Sequence, residues 1–238
     1  MVPEVGKSAE AGNADAQCNL GLMYFIGKGV EQDHVEAAKW VRKSAEAGHA
    51  AAQYNLGIMY DNGEGVEKDH VEALKWYRKA AEAGFAKAQN NLGAMYRDGK
   101  GVEQNHVEAA KWYRKSAEAE YAKAQHNLGA AYCNGKGVEQ DLVKGVKWLQ
   151  LAAVQGHKDA LHSLNNLQQD SLIPTPPPGT AVTTILLTSA NAAKYNRRTG
   201  SVVEPTEGAA IKPGRAAVLL DGEAAPISFK LKNLQIHP

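Results

Sequence analysis

Apolar residues recur at helical spacing along the N-terminal part of the chain. Two stretches, residues 13–26 and residues 33–48, carry them at intervals of three or four. Gly27 and Gly29 stand between these stretches, and glycine just past a helix adopts the left-handed conformation without steric cost. The pattern predicts a first helix (helix A), a short turn and a second helix (helix B) that ends at Gly48.

This helix pair repeats every 36 residues without a gap. The residues that recur in phase are Trp40, Trp76, Trp112 and Trp148, then Tyr24, Tyr60, Tyr96 and Tyr132, then the Gly-x-Gly pairs that begin at Gly27, Gly63, Gly99 and Gly135. Neither helix can bury its apolar face alone, so the copies must stack on each other. The sequence therefore predicts an all-α solenoid over residues 1–170, with full repeats at 13–48, 49–84, 85–120 and 121–156.

Each copy also contains residues that we assign to caps or to the core. Asp33 and Glu36 have the spacing of a capping box, and Gly21 is small enough for the two helices to approach closely. Val35 and Trp40 are expected in the core of helix B. We therefore assign a structural role, in a cap or in the core, to all of these residues.

The two ends of the solenoid depart from the pattern. Residues 7–12 match residues 43–48, so the chain opens in the tail of a helix B, and we expect a fragment or a truncated product. Residues 158–169 match one more helix A and are expected to cap the stack.

The repeated motif is Ala-Gln-x-Asn-Leu-Gly-x-Met-Tyr, then Gly-x-Gly-Val, Ala-x-Lys-Trp and Ala-Glu-Ala-Gly. It resembles the Sel1-like repeat (SLR) family, a relative of the tetratricopeptide repeats, over about residues 5–169. The resemblance implies a right-handed superhelix of helix hairpins that binds other proteins in a concave groove.

Positions that differ between copies fall on one stripe of helix A, which we call the helix A stripe. Core positions must agree because each copy docks on its neighbour, so positions that differ face something else. The predicted groove residues are Asn19, Leu22, Phe25, Tyr54, Asn55, Ile58, Lys87, Asn90, Asn91, Arg97, Lys123, His126 and Asn127. The stripe is apolar in copies one and two and basic in copies three and four, which predicts a peptide or protein partner with hydrophobic anchors and an acidic end.

An asparagine recurs at the edge of this stripe, as Asn19, Asn55, Asn91 and Asn127. An amide side chain can donate to and accept from a peptide backbone at once. The asparagines either hold an extended ligand or bond the neighbouring helix, and the sequence leaves both readings open.

Composition narrows the class of protein. The chain has 27 basic and 26 acidic side chains, so it lacks the basic excess of a nucleic-acid binder. Its apolar runs are too short for a bilayer span, and no signal peptide is seen. Cys18 and Cys133 lie in different copies, too far apart for a disulfide, so we expect a reducing, cytoplasmic location.

No catalytic, cofactor or metal site is expected. The Gly27-Lys28-Gly29 turn lacks the spacing of a phosphate loop, and His34 with its counterparts in later copies lies too far apart to share a metal ion. A hydrolase that uses Cys133 is the rival from another class, although no group is placed to activate the thiol.

The C-terminal part of the chain lacks the helical pattern. Residues 171–178 are proline-rich and predict a stiff linker. Residues 180–187, 200–203, 215–220 and 226–231 are short strand-like runs. Residues 179–238 resemble an SH3-like, KOW-type module, which implies a small β-barrel. Further alternatives are RNA binding through this module and an adaptor role in protein quality control or ubiquitin-linked degradation.

Overall fold

The structure is a computed structural model that describes residues 2–169, 181–182, 184–187, 200–203, 215–220, 227–230 and 234–237. Ten helices follow one another: α1 Val2–Glu10, α2 Ala14–Ile26, α3 His34–Glu46, α4 Ala50–Asn62, α5 His70–Glu82, α6 Ala86–Asp98, α7 His106–Glu118, α8 Ala122–Asn134, α9 Leu142–Val154 and α10 Lys158–Gln169. The fold is an all-α solenoid, as predicted. The partial copies expected at its ends are α1 and α10.

Two compact units make up the chain. The first contains residues 1–124 and 135–139, and the second contains residues 125–134 and 140–238. Helices α2 to α7 of the first unit form three hairpins. In the second unit, α9 and α10 share a small core in which Leu149 and Leu164 are buried. No helix among the described residues is both long and apolar enough to cross a bilayer.

The predicted turn chemistry begins and ends the helices. Asn13 caps α2 by accepting the Ala16 N–H at 2.8 Å, and Gly27 ends it in the left-handed conformation, with φ of 70°. The carboxylate of Asp33 accepts the backbone N–H groups of Val35 and Glu36, each at 2.9 Å. The residues that begin helix B and end helix A are therefore ones that the sequence repeats, whereas the residue before helix A changes from copy to copy and Phe85 gives α6 no side-chain cap.

The reciprocal half of the predicted capping box does not form. The Asp33 N–H already donates to the carbonyl of Tyr24 at 3.0 Å, so no donor is left there for Glu36. The Glu36 carboxylate instead accepts from Lys39 at 2.8 Å. Helices α3, α5 and α7 thus each begin with a single side-chain cap and an ion pair one turn further on, whereas in α9 Lys144 pairs with the cap residue Asp141.

Within a hairpin, a glycine of helix A lets helix B approach. A Cβ at Gly21 would lie 2.6 Å from the Val41 side chain, and a Cβ at Gly57 would lie 2.6 Å from the Tyr77 ring. Distances this short leave no room for a methyl group, so the close-approach role predicted for Gly21 is confirmed.

Between hairpins, the same side chains make the same contacts in successive copies. The Gln53 amide donates to the carbonyl of Ala45 in the preceding helix B at 3.1 Å, and Gln17 and Gln89 repeat this bond at 3.1 Å. Arg42 donates to the hydroxyl of Tyr60 in the next helix A at 2.6 Å, and Arg78 donates to Tyr96 at 2.6 Å. These bonds fix the step from one hairpin to the next.

One core assignment is wrong. Val35 was placed in the core of helix B, yet its side chain is 55% exposed. It shares a helix face with Lys39 and Arg42, at i, i+4 and i+7, and that face lies beside the turn at Gly65 and Val66 of the next copy. Its counterparts Val71, Val107 and Val143 are exposed as well.

The C-terminal part contains six short strands: β1 Ala181–Val182, β2 Thr184–Leu187, β3 Gly200–Val203, β4 Arg215–Leu220, β5 Ile227–Lys230 and β6 Leu234–His237. All the pairings are antiparallel. One sheet has the order β1-β3-β4-β5, and β2 pairs with β6 in the other. The predicted strand-like runs match β1 to β5, and β6 was missed. The linker at 171–178 lies outside the described residues, and the barrel remains a prediction.

Candidate protein-binding surface

The most exposed apolar part of the helix A stripe lies on α2. Leu22 is 39% exposed and Ile26 is 61% exposed. Phe25 is half-buried, and its ring stacks on His34 with centroids 4.7 Å apart. Asn19, Leu22 and Ile26 lie at i, i+3 and i+7, so they share one helix face. This face presents two aliphatic side chains and an exposed amide together.

In the second copy the stripe is anchored in the core. Tyr54 and Ile58 are half-buried against the cluster that contains Tyr77. The Tyr54 ring lies 5.9 Å from the ring of Tyr77 and 5.2 Å from that of Phe85, measured between centroids. Burial raises the pKa of the Tyr54 hydroxyl. A partner could reach only the outer part of these two side chains.

Two of the four asparagines that recur at the edge of the stripe contact neighbouring helices. The Asn55 amide points at the Cys18 sulfur on the preceding helix A, 3.9 Å away. The Asn91 side chain hydrogen-bonds the hydroxyls of Tyr54 and Tyr77 and so opposes the rise that burial causes in their pKa values. The bonds to neighbouring helices thus account for Asn55 and Asn91, whereas Asn19 is exposed.

Asn90 does not face a groove. It is 1% exposed, and its amide donates to Asn91 at 3.3 Å. Cys18, at the same position two copies earlier, is also buried, at 4%, and contacts Asn55 of the following helix A. Burial removes Cys18 and Asn90 from a partner, so a difference between copies does not by itself mark a binding residue.

The basic end of the stripe is weaker than predicted. Arg97 pairs with Asp98, its Nε at 2.7 Å and its Nη2 at 3.0 Å from the two carboxylate oxygens. The arginine holds the pKa of the Asp98 carboxyl below its ordinary value. Lys87 and Lys123 are exposed. The positive charge of the helix A stripe in copies three and four therefore comes mainly from these two lysines.

His126 lies in a polar contact with α10. Its ring stacks on His157 with centroids 4.9 Å apart, and its Nε2 is 3.3 Å from the Ser163 hydroxyl. Burial, with a smaller effect from His157, lowers the pKa of His126, while Asp159 and the Asn127 side chain oppose that shift. Its half-buried ring packs on α10 and leaves only part of its surface to a partner.

Neither cysteine has the environment of a nucleophile. Burial raises the pKa of the Cys133 thiol and of the Cys18 thiol, whereas a reactive cysteine needs a lowered pKa. Within residues 2–169 and the six strands, no three histidine, cysteine or acidic side chains converge on a possible metal position.

A cleft that the sequence did not reveal lies between the first and second copies. A cavity of about 410 Å³ lies between α3 and the turn at Gly65 and Val66. Val35 and Ala38 line it, with Lys39, Arg42 and Lys43 at its rim. The i, i+4, i+7, i+8 spacing of Val35 and the three cations was visible in the sequence. The recurrence of Val35 was taken to mean a core role.

Stacked hairpins with repeated lateral contacts place the molecule among the tetratricopeptide-related solenoids, whose exposed helix faces offer long binding surfaces. The Sel1 repeat matches residues 14–49, 50–85, 86–121 and 122–157. The chain belongs to the Sel1 repeat family. Proteins of this family are generally scaffolds for protein interactions.

Two solved structures agree with this assignment. A protective antigen present in uropathogenic Escherichia coli strains, which displays an SLR fold, is 39% identical with a TM-score of 0.70; the match covers 72% of this chain and 37% of that one. A Sel1 repeat protein from Oxalobacter formigenes is 35% identical with a TM-score of 0.68, over 74% of this chain and 71% of that one. The comparison with curated proteins gave no match.

Proposed function

We propose that the chain is a non-enzymatic scaffold that holds an extended peptide or protein segment against the helix A stripe, with the apolar anchor of that segment on α2. The exposure of Leu22 and Ile26 beside Phe25 is the observation that carries the proposal. Contiguous apolar surface of this kind marks interaction sites in globular proteins.

The other groove residues divide into two groups under this proposal. Asn19, Lys87 and Lys123 are exposed and are available to a ligand backbone or to acidic side chains. Tyr54 and Ile58 contribute their outer surfaces and are held in place by the core beneath them. Side chains fixed in this way lose little conformational freedom when a ligand binds.

Selection from a peptide library displayed on phage, with the full chain as bait, tests the proposal. Enriched peptides are then measured by calorimetry against Leu22→Asp, Ile26→Asp and the double variant. Fully burying a leucine or isoleucine side chain is worth about 1.5–3 kcal/mol, so the double variant is expected to bind about tenfold more weakly or worse.

A matched control is Leu151→Asp, which places the same charge on a 45% exposed leucine of α9. This variant is expected to bind like the wild type. If library selection enriches nothing, or if the enriched peptides bind the double variant as tightly as the wild type, the α2 face is not the binding site.

A further inference from the structure

The cleft on α3 has the composition of a ligand site. Its floor is apolar, formed by Val35, Ala38 and the turn at Gly65 and Val66, and its volume of about 410 Å³ is within the usual range for small binding sites. Lys39, Arg42 and Lys43 lie at the rim with Glu36 as the one lining acid, so the lining residues have a net charge of +2 (three cations, one anion).

The cations at the rim are already held in place. Arg42 donates to the Tyr60 hydroxyl at 2.6 Å and lies over the Tyr60 ring. The Lys43 ammonium lies 4.0 Å from the centre of the Trp40 ring, and Lys39 pairs with Glu36 at 2.8 Å. Both guanidinium and ammonium groups carry more donors than these contacts use. A ligand carboxylate would therefore meet positioned donors and cost little side-chain entropy.

We propose that this cleft is a second binding site, distinct from the helix A stripe, for an acidic peptide segment with an aliphatic anchor. The anchor side chain occupies the cavity over Ala38, and flanking carboxylates bind Lys39, Arg42 and Lys43. The apolar floor and the excess of positive charge select this occupant over a neutral segment or a free anion.

The neighbouring copy differs from the first at the position of Ala38. Leu74 of α5 stands where α3 has Ala38, and it is 8% exposed, so a side chain of the protein itself occupies that position. The cations nevertheless continue as Lys75, Arg78 and Lys79. Packed helices are about 8–10 Å apart and an extended chain advances about 3.3 Å per residue. A segment with an acidic residue at about every third position therefore matches this row.

Fluorescence anisotropy with a short labelled peptide, a leucine flanked on each side by glutamates, tests the proposal on the full chain. Ala38→Leu fills the cavity with a residue that the next copy accommodates, and it is expected to weaken binding at least tenfold with an unchanged circular dichroism spectrum. Lys39→Gln combined with Lys43→Gln is expected to weaken binding and to reduce its dependence on salt. Lys87→Gln removes the same charge from the helix A stripe and is expected to bind like the wild type.

Three results would overturn the inference. One is an absence of binding to the wild type. Another is equal affinity for Ala38→Leu. The third is equal affinity of the wild type for a peptide of glutamates without leucine, which would mean that charge acts without the cavity. Methyl chemical-shift changes expected at Val35 and Val66, and absent at Leu22 and Ile26, separate this site from the proposed groove.

Discussion

Gly65 shows how closely one hairpin approaches the next. Its φ is +70°, and a Cβ at this position would overlap the carbonyl oxygen of His34 in the preceding helix B. Gly101 and Gly137 have the same relation to His70 and His106. The second glycine of these three turns is thus needed for contact between copies, whereas the first glycine of a turn ends a helix.

Gly65→Ala is therefore expected to destabilise the first unit by more than about 2 kcal/mol, since backbone strain and a steric overlap add up. Gly48→Ala is the matched control, because Gly48 also has a positive φ, of +91°, but faces open space. It should cost only about 1 kcal/mol. Urea unfolding followed by circular dichroism gives both values, and equal midpoints would mean that the overlap is relieved by a small shift of the turn.

Tyr60 offers a second test at this scale, because its hydroxyl accepts from Arg42 at 2.6 Å. Tyr60→Phe leaves the ring in place and removes the acceptor, so it is expected to lower the free energy of unfolding by about 1 kcal/mol. Tyr24→Phe is the control, since Gly6 stands where the preceding copy would carry the arginine. A loss of the same size in both variants would show that the arginine contributes nothing.

At the scale of elements, the contact between α8 and α10 is expected to depend on pH. Burial against His157 and Ser163 keeps the folded-state pKa of His126 below the ordinary value. The unfolded chain therefore binds a proton first as the pH falls. The contribution of this histidine is present above its unfolded pKa of about 6.5 and is lost as the pH falls through the lower, folded value.

Hydrogen exchange of α10 amides between pH 7.5 and pH 5 measures this effect. Protection in the wild type is expected to fall toward acid, after correction for the intrinsic exchange rate. His126→Gln should show a smaller fall, because glutamine cannot take up a proton. Identical profiles would assign the pH response to other groups.

The helices could be predicted because the turn residues and the helical spacing of apolar residues indicate the same boundaries: in every full copy a glycine follows helix A, and an aspartate or asparagine precedes helix B. Gly27 and Asp33 mark boundaries by mechanisms that depend on the residue type alone, and the structure places the boundaries there within one or two residues. The strand β6 was missed because its apolar residues are few and end at the chain terminus, where no turn follows to mark a strand.

The binding surface was harder to predict because variation and invariance each have two causes. Asn90 differs from its counterparts yet is buried, and its amide donates to Asn91 of the same helix. Val35 is the same in every copy yet is exposed. Which of two helix faces meets a neighbour depends on how hairpins stack, and the sequence of one hairpin does not contain that information.

At the scale of the whole molecule, the stability of a solenoid is close to a sum of copies and junctions. Deleting residues 50–85 removes one full copy and brings Gln89 to the place of Gln53, beside the carbonyl of Ala45. The shortened chain is expected to fold, with helical ellipticity per residue preserved and a smaller urea m-value.

Deletion of residues 50–79 is the matched control, because it removes a similar length out of phase with the repeat. This variant should lose cooperative unfolding. Gln89 no longer lies beside the carbonyl of Ala45, and Gly101 no longer fits against the preceding helix B. Cooperative unfolding of both deletions would show that phase does not govern the stacking.

Identical junctions also bear on how such a gene changes. Since the α3–α4 and α5–α6 boundaries use the same glutamine and arginine bonds, unequal crossing-over between these copies lengthens or shortens the protein in whole units and keeps both reading frame and contacts. Residues that differ between copies, such as Ala38 in the first and Leu74 in the second, are then exchanged between copies while the stacking contacts stay the same. Recombination can therefore move a ligand pocket along the array, and selection acts on its position separately from the framework that carries it.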